Sequence, residues 1–383
     1  MLYRRELHVP ASGDDWSEAR VRDAVAAIVA DADAAHDPEE LWPAHEWDGW
    51  NAALPLKNLY VGAAGVVWGL DALRRRGYAE TWLPLADVAV RALTMWRAAP
   101  DFVEGYEPPE PAEAGLLGGD AGILAVALGL DQNREHADDL LDRVRRNVAN
   151  EAEEIMWGAP GTLLAATTMA SRTGEARWHE AAQETAEGLW ARRENGLWTV
   201  RLYGAVRQGL SPPHGLVGNV VALRPHVDDA RLDALLRDSA AILADRAVHE
   251  DGRVSWPSAD GEPRLQWCAG APGVVIHAAD YLDEELLFAA AELVWEAGPF
   301  GEEKGAGICH GTAGNGYALL RMFEHTGDER WLARARVFAM HALAQVETLP
   351  SRYSLWTGGV GAALFAADCV EGRARYPILD GFD

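Results

Sequence analysis

The sequence predicts an all-α fold, a seven-fold α/α toroid with seven inner helices ringed by seven outer ones and short β-hairpin insertions. Three observations lead there. A glycine pair, G-x-x-G, heads an apolar run at seven places along the chain. Amphipathic stretches alternate with those runs. The last repeat is as apolar as the others, whereas an open solenoid needs polar capping repeats at its ends. Closure lets every repeat bury its apolar face against two neighbours.

The pairs are Gly62/Gly65, Gly119/Gly122, Gly158/Gly161, Gly215/Gly218, Gly270/Gly273, Gly311/Gly314 and Gly358/Gly361. The stretches that follow, such as "GDAGILAVAL" and "GGVGAALFAA", are apolar on all sides, the mark of a helix buried all round. The amphipathic stretches are 18–36, 82–98, 135–149, 175–193, 230–247, 284–297 and 328–346. In the last of these, Leu332, Ala335, Ala339, Ala342 and Val346 step by three and four, and the opposite face carries Arg and Asp, so one side meets water. Residues 1–50 read as an N-terminal segment holding the first outer helix, and 51–383 as a single toroid domain. Two β-hairpins are expected, one around "ENGLWTV" at 194–200 and one over 250–267, where Asp-Gly pairs mark turns. The second leads directly to Cys268.

A formal net charge of -25 over 383 residues argues against nucleic acid and anionic membrane surfaces as partners, since both repel it. Lysine occurs only at Lys57 and Lys304, so an anionic substrate needs a local basic group. No apolar run reaches about 18 residues, so no membrane-spanning helix is expected. The first residues lack an apolar signal region, and the three cysteines are too few and odd in number for a disulfide framework. Both point to a cytoplasmic protein.

Aligned on the first glycine of each pair, four side chains fall at the two positions just before it. Cys268 stands two residues before Gly270, Cys309 two before Gly311, His310 one before Gly311, and His214 one before Gly215. Equivalent repeats place them at the N-terminal mouths of three consecutive inner helices. Two thiols and an imidazole are zinc donors, and three protein ligands with a fourth position open are the pattern of a catalytic zinc site. Cys369 lies eight residues beyond Gly361, about 12 Å further along a helix. It reads as a buried structural thiol. His214 is equally readable as a helix-capping residue, and Asp120 reads as a cap.

The segments "QWCAGAPGVV", "GICHGTAGNGYALL", "PPHGLVG" and "LGGDAGILAVA" resemble the lanthionine synthetase C-like family, and within it the stand-alone LanC-like branch of animals and plants. The resemblance runs from Gly62 to the C-terminus and implies the toroid, with zinc held by Cys268, Cys309 and His310. It implies an acid/base role for His214. Glu154 stands where dedicated cyclases have Asp, as in the LanC-like branch, and Pro272 where some cyclases have Arg. Lys304 matches a branch lysine that helps to hold glutathione, and Arg352 is the candidate for a second basic group.

The implied reaction adds a thiol to the β-carbon of a dehydroalanine or dehydrobutyrine in a peptide, forming a thioether. In the first reading the thiol is small and glutathione-like. In a second it belongs to the peptide, and the chain is a lanthipeptide cyclase. In a third the chain is a non-catalytic scaffold that binds glutathione or zinc.

Overall fold

The computed structural model describes residues 1–11, 15–49, 52–103, 108–258 and 260–382. In chain order the helices are α1 (Glu18–Ala35), α2 (Glu46–Gly49), α3 (Ala63–Arg75), α4 (Leu85–Ala98) and α5 (Asp120–Leu130). They continue with α6 (Arg134–Asn147), α7 (Ala159–Thr173), α8 (Ala176–Ala191), α9 (Leu216–Leu223) and α10 (Asp229–Arg246). The last five are α11 (Ala271–Ala278), α12 (Glu284–Ala297), α13 (Thr312–Thr326), α14 (Glu329–Thr348) and α15 (Gly359–Glu371).

The odd-numbered helices from α3 to α15 each begin one residue after the first glycine of a pair, so the motif marks helix starts. They are buried on every side, as in α5 from Asp120 to Leu128 and α15 from Gly359 to Cys369. Their partners bury one stripe. In α6 the buried positions are His136, Ala137, Leu140, Leu141, Val144 and Asn147, spaced by three and four. Side chains cap several of these amphipathic helices, with Asn133, Asp283 and Asp328 accepting from first-turn N–H groups.

The residues fall into two compact units. The first comprises Met1–His36, Gly69–Trp82 and Ala240–Tyr376. It holds α1 and α11 to α15, with a core that includes Trp267, Phe338, Trp356, Phe365 and Tyr376. The second comprises Asp37–Trp68, Leu83–Ser239 and Pro377–Asp383. It holds α2 and α4 to α9 around Leu124, Ile155, Leu163, Trp178 and Trp198. Helices α3 and α10 contribute residues to both.

The first hairpin is shifted from the expected place, and the second turns at an expected Asp-Gly pair but covers only residues 248–255. In the second unit, β1 (Val200–Leu202) pairs with β2 (Ala205–Arg207) around Tyr203 and Gly204, both with positive φ. The expected Asn195-Gly196 turn forms too, but it closes only the single bridge between Glu194 and Leu197. In the first unit, β3 (Val248–Glu250) pairs with β4 (Arg253–Ser255) around Asp251-Gly252. An Asn-Gly or Asp-Gly pair supplies the left-handed backbone of a tight turn at little cost. A Tyr-Gly pair does not announce itself in this way.

Candidate active site

Two groups of the candidate residues assemble, one within each unit.

In the first unit, the ligand atoms of Cys268, Cys309 and His310 all lie within 4.8 Å of one another. Local backbone explains how. Cys268 sits on a tight turn closed by Gln266 N–H to Ala269 C=O at 2.9 Å and the reciprocal bond at 3.0 Å. Gly270 ends the turn at φ 108°, a conformation open to glycine. Cys309 and His310 occupy the turn before α13. A Cβ at Gly314, in the first turn of that helix, would lie 2.0 Å from the Ile308 carbonyl oxygen, so glycine lets the cysteine loop fold back onto the helix. Cys268 N–H reaches Cys309 C=O at 3.3 Å and joins the two loops.

An aromatic floor supports both loops. Tyr376 stacks on Trp267 with centroids 5.1 Å apart and 17° between planes. Its hydroxyl donates to the Ile308 carbonyl at 2.8 Å. Trp356 packs on Trp267 at 4.9 Å, and its carbonyl accepts from Cys309 N–H at 2.8 Å. Trp267 Nε1–H donates to His277 Nε2 at 3.0 Å. Burial holds that imidazole well below its ordinary pKa, so it is neutral and accepts. His277 thus packs against the aromatic floor as an acceptor.

The donor set fits a metal ion. The Cys268 thiol is held well below its ordinary pKa, first by hydrogen bonding with Cys309, against desolvation and with help from His310 and Gln266. Gln266 Nε2 lies 2.9 Å from Cys268 Sγ and supplies a donor to a thiolate. Two sulfurs and an imidazole converging on one point, one of them already favouring the anionic form, make a soft site for a divalent cation. Cys369 stays apart, fully buried in α15, where burial pushes its thiol up.

In the second unit, His214 Nδ1 lies 2.8 Å from Glu154 Oε2. Glu154 has no exposed surface and also accepts from the backbone N–H groups of Met156 at 3.1 Å and Trp157 at 2.6 Å. A carboxylate so supplied with donors is an acceptor, so Nδ1–H donates to it. His214 lines a cavity of about 390 Å³ together with Tyr60, Phe102, Met156, Trp157 and Tyr203. Tyr203, at the hairpin turn, accepts from Trp157 Nε1–H at 3.0 Å.

Lys304 and Arg352 are half-buried on loops of the first unit. Lys304 follows Gly301 in the turn before the cysteine loop, and the Arg352 carbonyl accepts from Gly359 N–H at 2.7 Å. Asp120 does not act as the expected cap. It is buried and bonded by Arg143 Nε and Nη2 at 3.0 and 3.1 Å, because a carboxylate that deep needs a cation.

Sequence reasoning missed four supports. Asn315 Nδ2 donates to the Leu265 carbonyl at 2.9 Å, just ahead of the Cys268 turn. In the other unit Asn219 Nδ2 donates to the Glu153 carbonyl at 2.8 Å, next to Glu154. Each Asn follows the second glycine of its pair, so the string G-x-x-G-N was a signal available in the sequence. Gln266 and Tyr376 carried no comparable signal.

A profile of the family described as lanthionine synthetase C-like protein matches residues 56–379. The chain is 32% identical over 130 residues to glutathione S-transferase LANCL1 of Danio rerio, covering 30% of this chain and 31% of the relative. It is 30% identical over 136 residues to LanC-like protein GCL1 of Arabidopsis thaliana, with the same 30% and 31% coverage. The aligned part therefore spans under a third of each relative's length. Nisin cyclase, a solved structure, superposes with a TM-score of 0.63 at 16% identity, over 94% of this chain and 98% of its own. That likeness shows the fold, the all-α toroid class read from the sequence. Among the described residues, no helix is long and apolar enough to cross a membrane. The profile match takes in both constellations and every glycine pair, and the chain belongs to the lanthionine synthetase C-like protein family.

Proposed function

We propose that this chain is a zinc-dependent enzyme that adds a small thiol, glutathione or one like it, to dehydroalanine or dehydrobutyrine residues of peptides or proteins. The observation that carries the reading is the convergence of Cys268, Cys309 and His310 within 4.8 Å. The glutathione S-transferase name of the Danio rerio relative supports a small thiol as co-substrate.

Cys268, Cys309 and His310 would hold the zinc. When bound, zinc supplies a Lewis acid that lowers the pKa of a thiol joining as fourth donor. A free thiol, with a pKa of about 8.5, is only a few per cent anionic at neutral pH. The thiol sulfur forms a bond to the β-carbon, the carbon–carbon π bond breaks, and the electron pair moves toward the adjacent carbonyl. A proton then arrives at the α-carbon and balances the one the thiol lost.

His214 is the group proposed to deliver that proton from Nε2. Glu154 accepts from Nδ1–H and so orients the ring. General acid catalysis of this kind contributes about 10²–10⁴-fold. Lys304 and Arg352 are proposed to meet the carboxylates of the thiol, since the chain has only two lysines and one of them, Lys57, is buried against Asp101.

The test is to incubate the protein with a dehydroalanine peptide and glutathione, with and without a chelator, and to follow masses. An adduct that forms with protein and is suppressed by chelation is expected. No acceleration over the protein-free reaction with any small thiol overturns the reading. Ring formation in a peptide bearing its own cysteine, without use of glutathione, points instead to the cyclase.

A further inference from the structure

The cavity that His214 lines is much larger than the reaction at His214 requires, and its described walls are mostly apolar. The electrophilic residue ends in a single methylidene group, or one methyl more, comparable to a water molecule at ~30 Å³. The cavity measures about 390 Å³, toward the lower end of the range for small-ligand pockets. A proton delivered from His214 fixes the α-carbon close to the imidazole, and the next residue's Cα lies only about 3.8 Å further on. The space beside the imidazole is then within reach of a neighbouring side chain of the peptide.

The walls state the chemistry of that side chain. Leu56, Val61, Phe102, Met156 and Trp157 are apolar, and Tyr203 reaches in from the hairpin turn. Among the described lining residues there is no Lys or Arg, and the carboxylates are Asp48 and Asp101. Asp101 is already met by Lys57 Nζ at 2.6 Å and by Asn58 Nδ2 at 3.0 Å. The described walls thus offer an anionic group, including either carboxylate of a glutathione-like thiol, no Lys or Arg. An uncharged apolar side chain leaves no polar group unmet and gains from leaving water.

We propose that this cavity is a specificity pocket for a large apolar or aromatic side chain next to the dehydro residue, so that the enzyme selects electrophiles in hydrophobic sequence contexts. The proposal rests on the reaction assigned above and adds the substrate class.

The experiment uses synthetic peptides with a central dehydroalanine flanked by Phe, Leu, Gly or Asp, and unreactive partners with Ala in its place. Binding of the Ala peptides is followed by calorimetry, and adduct formation on the dehydroalanine peptides by mass. Expected are a Kd about tenfold tighter for Phe or Leu than for Gly or Asp, and the same order in kcat/KM. Val61→Phe, which fills the pocket, and Tyr203→Ala, which removes the outer wall, should each shrink the difference to within about threefold. Equal Kd values across the four peptides in the unaltered protein overturn the pocket, and so does a preference that neither variant changes. If binding discriminates but no peptide forms an adduct, the proposed reaction falls and the pocket stands. If all four react alike, the reaction stands and the pocket falls.

Discussion

His214 Nδ1 lies 2.8 Å from Glu154 Oε2, and that carboxylate has no exposed surface. Two backbone N–H groups also donate to Glu154, so the imidazole is oriented by a carboxylate that is itself held. Glu154→Gln should therefore lower the rate of adduct formation by about 10²-fold while zinc content stays at the level of the unaltered protein. Mass-resolved rates and metal analysis on the same sample check this. A rate within twofold of normal removes Glu154 from the mechanism.

Cys309→Ala should lose most of the bound zinc, because it removes one of three donors. Cys369→Ala should keep it, because Cys369 is buried in α15 away from the cluster. Metal content of protein purified without added chelator distinguishes the two. Equal retention in both variants sinks the assignment of the ligands.

Tyr376→Phe keeps the stacking on Trp267 and deletes the bond to the Ile308 carbonyl, directly before Cys309. Removing support of this kind behind metal ligands costs about 10–100-fold in affinity. A loss of about tenfold is expected, with a modest fall in stability of about 1 kcal/mol. Competition with a chromophoric chelator reads the first and urea unfolding the second. Unchanged zinc affinity means that the floor serves packing alone.

Lys57 and Asp101 form an ion pair with almost no exposed side-chain surface. Lys57→Met strands a buried carboxylate and should cost about 3–5 kcal/mol in unfolding free energy. Lys57→Met with Asp101→Asn should cost less, since no uncompensated charge remains. Equilibrium denaturation of both variants decides. Equal losses in the two would mean that the charge itself is not the issue.

Asp368 is fully buried, bonded by Tyr317 Oη at 2.8 Å and by Arg76 Nη2 at 2.6 Å. Burial raises its carboxyl to about 7, with Arg76 opposing. A raised carboxyl pKa means that the folded state binds the proton more tightly, so this contribution to stability is full below about pH 4 and is lost as pH rises to about 7. The unfolding free energy of the unaltered protein minus that of Asp368→Asn should accordingly fall over that interval and level off above it. A difference that rises with pH contradicts the assignment.

Much of this protein is local in origin and so was legible in the sequence. The glycine pairs mark helix starts because the cysteine loop at Ile308 and Cys309 folds onto its helix at a glycine, where a Cβ has no room. Apolar periodicity separates α5, buried all round, from α6, buried on one stripe, since burial is a property of a helix face. The register of Cys268, Cys309 and His310 followed from the same repeat. Tertiary structure alone decided which distant groups serve them. Tyr376 reaches back 68 residues to Ile308, and Glu154 meets His214 across 60. It also decided that Asp120 pairs with Arg143 instead of capping its helix, and that Tyr203 closes a wall beside Trp157. Periodicity records which side of an element avoids water, but a hydrogen bond or an ion pair depends on which two elements the folded chain brings within about 3 Å, and that information is spread over the whole core.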